Sequence, residues 1–74
     1  MNEDLLKKII SVYIKELPEK IDDNSLIDNS VIQGSILFHR MISKINDQFN
    51  IELDHYDDLI CYRDLLNAVK NKLS

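Results

Sequence analysis

The stretch Gly34-Ser35-Ile36-Leu37-Phe38-His39-Arg40-Met41-Ile42-Ser43-Lys44-Ile45-Asn46-Asp47-Gln48-Phe49 sets Phe38, Met41, Ile42, Ile45 and Phe49 on one stripe and His39, Arg40, Ser43, Lys44 and Asp47 on the other. Side chains three and four residues apart share a face of an α-helix, so the spacing predicts an amphipathic helix over 35–49. Ser35 follows the chain's single glycine at the start of that helix, and its hydroxyl is expected at an exposed helix N-terminus. Two roles are open there. A serine in front of an apolar helix is commonly its N-cap, whereas free N–H groups and the helix dipole also favour an attached anion such as a phosphate by roughly 0.3 to 1 kcal/mol.

Working towards the N-terminus, residues 18–34 lose periodicity and read as a long loop. Its polar members, from Lys20 through Asp22, Asp23, Asn24 and Ser25 to Asp28, Asn29 and Ser30, are interrupted by Ile21, Leu26, Ile27, Val31 and Ile32. Structureless loops of about 17 residues are uncommon in compact domains, and the scattered apolar residues suggest a crossover that packs down. Before it, Leu5, Leu6, Ile9, Ile10, Tyr13 and Ile14 predict a helix over 3–16, with Glu3 and Asp4 at its positive end and Pro18 as its stop. Working towards the C-terminus, Asp54 is a candidate N-cap for a short helical turn through Leu59, with Asp57 and Asp58 in its first turn. Tyr62, Leu65, Leu66, Val69 and Leu73 then predict a terminal helix with Lys70 and Lys72 near its negative end. The expected fold is all-α, three principal helices and one short one, as a single domain over 1–74.

Length and charge narrow the function. A chain of 74 residues buries only about 60 % of the surface it exposes when unfolded, which allows one small core and argues against a second domain or an autonomous catalytic pocket. Cys61, the single cysteine, has no intramolecular partner, so packing alone must hold the fold, as in a reducing cytoplasm. The opening Met1-Asn2-Glu3-Asp4 is acidic where a secretory signal would be basic, and no apolar run reaches the length of a membrane span, so neither targeting nor membrane insertion is expected. The formal charge of −4 argues against nucleic acid and favours a basic protein partner.

The chain resembles the acyl carrier protein family, including its peptidyl and D-alanyl carrier relatives, over nearly its whole length. Leu26-Ile27-Asp28 looks like the apolar and acidic element of the family's loop, and Ile32-Gln33-Gly34-Ser35-Ile36 looks like its Asp-Ser-Leu motif, with Ile36 in place of the leucine. Ile45-Asn46-Asp47-Gln48-Phe49-Asn50-Ile51-Glu52-Leu53 follows the family's helix exit, and Phe49 stands at the family's distance from Ser35. Gly34 occupies the usual aspartate position, the loop is about one residue longer, and the second helix carries His39, Arg40 and Lys44 where the family's is acidic. The resemblance implies a small carrier-like four-helix bundle that is not itself an enzyme. It implies a covalent 4′-phosphopantetheine arm on Ser35, attached by a phosphopantetheinyl transferase from coenzyme A with that enzyme's divalent metal. A thioester on the arm would bring acyl or aminoacyl cargo to activating and transferring enzymes, as in fatty acid, polyketide or nonribosomal peptide biosynthesis. A monomer suits that role, and Ile36, His39, Arg40 and Lys44 would meet the partners, with His39 a pH-sensitive edge. An unmodified interaction module docking through the second helix is the alternative.

Other candidates carry less. Ser30 sits five residues too early relative to Phe49, and Ser43 lies inside the helix. His39, His55 and Cys61 hold the right atoms for zinc but lack paired ligand spacing. Cys61, beside Leu59 and Ile60, reads as a small buried hydrophobe. The cluster Asp54, Asp57 and Asp58 lacks the glycine and closing glutamate of a calcium loop, and Asp22 and Asp23 read as a solvated turn. The apolar stripes are core, with the parting of helices around an acyl chain as the alternative use.

Overall fold

The computed structural model describes residues 2–28, 31–32, 34–54 and 56–74. The loop residues Asn29 and Ser30, Gln33 of the motif and His55 of the metal trio therefore lie outside the described residues. The protein is all-α: α1 spans Glu3–Ile14, α2 Ser35–Phe49 and α3 Tyr62–Leu73, with 3₁₀ turns at Pro18–Lys20 and Tyr56–Asp58. Each helix turns its predicted stripe inward. Leu6, Ile9 and Ile10 of α1, Phe38, Met41, Ile42 and Ile45 of α2, and Tyr62, Leu65, Leu66 and Val69 of α3 meet in one buried cluster. Its Cα radius of gyration, 10.9 Å, is close to the value of about 11 Å that scaling gives for a chain of this length.

The crossover before α2 is part of that core. Ile21, Ile27 and Ile32 are all buried, so the segment is fixed by the burial of three β-branched side chains, each contributing roughly 1.5 to 3 kcal/mol. Its backbone is tied as well. Ile27 N–H donates to the Ile60 carbonyl and Tyr62 N–H to the Ser25 carbonyl, both at 2.8 Å, around an antiparallel bridge between Leu26 and Cys61. Upstream, Asp22 Oδ1 accepts from Asn24 N–H at 2.9 Å, and Ser25 Oγ accepts from Asp22 N–H at 2.9 Å. This self-bonded Asx turn is the exposed turn expected at Asp22 and Asp23.

Four local expectations are corrected. α1 ends at Ile14 rather than 16, because Lys15 adopts φ 58° and closes the helix with its N–H on the Ser11 carbonyl. The crossover is ordered as its isoleucines suggest, but it also contains a 3₁₀ turn that the loss of periodicity hid, opened by Pro18, whose fixed φ favours the first position. The fourth helix shrinks to one 3₁₀ turn that starts at Tyr56, and Asp54 ahead of it accepts from Lys72 Nζ of α3 at 3.2 Å. Ser35 is the first residue of α2 rather than its cap, which is Gly34.

α2 leaves cleanly. Asn50 takes the left-handed conformation at φ 55°, which asparagine tolerates, and Asn46 Oδ1 accepts from Leu53 N–H at 3.0 Å. That bond helps seat Leu53 in the core while Glu52 stays in solvent.

Candidate functional site

Gly34 brings the chain into α2 with φ 94° and ψ 149°, a region that L side chains rarely adopt. A Cβ added there would meet nothing within 4 Å. Backbone conformation, not crowding, is thus what favours glycine over aspartate at this position. Ser35 follows as an exposed residue in the first turn, with Ile36 and Leu37 after it. No acidic side chain occupies that turn, and its backbone N–H groups have no intrahelical acceptors, so the helix end favours a negative group.

A cleft of about 290 Å³ opens beside Ser35, lined by Asp28, Ser35, Phe38, His39, Asp57 and Leu59. Its far wall is the 3₁₀ turn, fastened to α2 by a 2.8 Å hydrogen bond between Tyr56 Oη and His39 Nδ1. The two rings meet edge to face at 5.2 Å, and Tyr56 also lies 5.9 Å from Phe38. Asp28 and Asp57 bring carboxylates to the same cleft, so an anion on Ser35 is attracted by the helix end and repelled from the side of the turn.

The other predicted residues share a second concavity. Ile36, His39, Arg40 and Lys44 line a groove of about 520 Å³ together with Tyr13 of α1, and His39 faces both hollows. Ile36 is 70 % exposed. Sequence reasoning missed Asp28 on the cleft, Tyr56 as the partner of His39, and Val12 and Tyr13 at the groove. The available signal was Val12, an apolar residue off the α1 stripe and 74 % exposed.

Two of the three metal candidates, His39 and Cys61, are described. His39 is engaged by Tyr56, while Cys61 is partly buried at the start of α3 with its backbone in the bridge to Leu26. Among the described residues no group of three His, Cys, Asp or Glu side chains is placed to hold a metal. Asp57 and Asp58 lie in the 3₁₀ turn as expected.

The start of α3 contrasts with that of α2. Asp64 Oδ2 accepts from the N–H groups of Ile60 at 3.2 Å and Cys61 at 3.4 Å, and these bonds hold its carboxyl below the usual carboxylate range. Tyr62, buried next to them, donates to Glu3 Oε1 at 3.0 Å, and Lys7 Nζ sits 5.5 Å from its ring centroid. Burial first, and then the hydrogen bond and charge of Glu3, push its phenol well above its ordinary value. Both side chains fasten the fold.

Comparison with known proteins adds no constraint: no family model, no curated protein and no solved structure matches the chain. Among the described residues no helix is long and apolar enough to cross a membrane.

Proposed function

We propose that this chain is a discrete carrier bearing 4′-phosphopantetheine on Ser35. The observation that carries the reading is the exposed Ser35 hydroxyl in the first turn of α2, at the end of a crossover pinned by buried isoleucines. That position answers the motif resemblance and offers a nucleophile without burying it. In the attachment step Ser35 Oγ attacks the β-phosphorus of coenzyme A and the P–O bond to 3′,5′-ADP breaks. The hydroxyl proton passes to a base of the transferase, whose divalent metal steadies the leaving group. Once bound, the arm supplies a thiol that holds acyl or aminoacyl cargo as a thioester. The protein's own part is to present the anchor and a recognition face, with Ile36, His39, Arg40 and Lys44 beside it, to successive enzymes. A flexible tether raises the effective concentration of cargo at each of them.

The test is intact-protein mass after incubation with coenzyme A, magnesium and a broad-specificity phosphopantetheinyl transferase. The expected result is a gain of one phosphopantetheinyl group, lost in a folded Ser35→Ala protein. Folded wild-type protein that gains nothing from several transferases would instead support the alternative, an unmodified module docking through α2. The observation favouring that second reading is Gly34 at positive φ where the carrier motif has aspartate.

A further inference from the structure

The carrier reading leaves the floor and charge of the α1–α2 groove unexplained. Two adjoining concavities, of about 520 and 260 Å³, share Tyr13 and Lys44 and so form one trough along the two helices. Its apolar lining includes Ile9, Val12 and Tyr13 from α1 and Ile36 from α2. Val12 and Ile36, at 74 % and 70 % exposed, contribute little to the core. Lys8, Arg40 and Lys44 edge the trough against one carboxylate, Asp47. Among the described residues none of these three cations is in an ion pair, although the chain as a whole carries −4. The trough is therefore a locally positive, apolar strip on an acidic protein.

We propose that this trough docks an amphipathic helical segment of a partner protein, with apolar side chains three and four residues apart and Asp or Glu on both flanks. The proposal rests on the carrier reading only in taking the exposed face of α2 as the side that partners approach. Recognition of an amphipathic helix needs apolar side chains to meet the anchors, which Val12, Tyr13 and Ile36 provide, and flanking charges of opposite sign, which Lys8, Arg40 and Lys44 provide. The chemistry reverses the basic partner that the overall charge suggests. A lipid surface fits less well, because three cations fall short of the roughly four to eight in anionic-lipid-binding clusters. Nucleic acid fits less well because the rest of the chain repels phosphate.

The test is an NMR titration of the unmodified, isotope-labelled protein with a synthetic helical peptide of Leu and Glu in that pattern. The control is the same peptide with Lys in place of Glu. Saturable amide shifts centred on Val12, Tyr13, Ile36, Arg40 and Lys44 are expected with the Glu peptide alone. Arg40→Glu with Lys44→Glu should weaken binding about ten-fold or more, and Val12→Ser should weaken it with the charges intact. Absence of saturable binding, equal binding of both peptides, or shifts centred on Leu17, Leu26 and Val31 would overturn the proposal. So would preferential binding to phosphatidylglycerol vesicles, or concentration-dependent dimerisation that Val12→Asp removes. The transferase reaction on the same sample separates the two ideas. Mass gain without peptide binding removes the trough proposal alone, and peptide binding without mass gain removes the carrier reading alone.

Discussion

The start of α2 continues the crossover and the start of α3 is paired to it, yet the two are finished in opposite ways. At α3, Asp64 folds back onto the N–H groups of Ile60 and Cys61, and the strap at Leu26 pairs with Cys61. At α2, the cap is a glycine with no side chain to offer, and the first turn holds Ser35 and two exposed apolar residues. One helix end is closed by the chain's own acceptors, while the other presents its dipole and a hydroxyl to solvent. The difference teaches where this fold can receive a negative group: adding one at α3 would displace Asp64, and adding one at α2 displaces nothing described.

The contrast depends on the crossover being a fixed strap, and Ile27 is where to break it. Its side chain is fully buried and its N–H holds the Ile60 carbonyl. Ile27→Ala is expected to lower the unfolding free energy by about 2 to 5 kcal/mol, a large share of the roughly 4 to 11 kcal/mol typical of a chain this long. Leu26→Ala next door, at a residue 46 % exposed, should cost far less. Urea unfolding of both variants checks this. Similar small losses would mean that the strap does not fix the approach to Ser35.

A smaller effect is expected at Gly34. Because space is open around it and φ is 94°, Gly34→Ala should cost about 1 to 3 kcal/mol through backbone strain alone. Gly34→Asp suffers the same strain but adds a capping oxygen, and should recover about 1 kcal/mol relative to the alanine variant. Thermal unfolding of the pair reads how far α2 lacks the closure that Asp64 gives α3. Equal stability of the two would mean that the end of α2 has no capping deficit.

These two positions also show what the sequence could and could not disclose. The stripes of α1, α2 and α3 were legible because helical burial repeats every three to four residues, and Phe38, Met41, Ile42 and Ile45 follow that period. The crossover was legible only as scattered isoleucines, since its order comes from Ile27 N–H and Tyr62 N–H reaching carbonyls far away in sequence. Local signals misplaced the end of α1 for a related reason. Lys15 takes a left-handed conformation that glycine would have advertised. At the site, Ser35 was placed at the helix start by its neighbours. The Tyr56–His39 bond that fastens the 3₁₀ turn to α2 joins residues 17 apart, and no local periodicity encodes such a pair.

The closed end of α3 offers the last and smallest test, through pH. The folded-state carboxyl of Asp64 lies below its ordinary value, chiefly through the Ile60 and Cys61 N–H bonds. Above its unfolded value of about 3.9 the group is ionised in both states, and the stabilisation from those bonds is fully present. As pH falls through the folded value, the carboxylate is protonated and that contribution is lost, because the unfolded chain binds the proton first. Asp64→Asn keeps an oxygen facing the two N–H groups but removes the titration. The variant should be slightly less stable at neutral pH and should lose less stability than wild type on acidification. Side-by-side melts at pH 7 and in the acid range check this. Parallel acid losses in the two proteins would show that the end of α3 is held by the Leu26–Cys61 bridge rather than by its carboxylate.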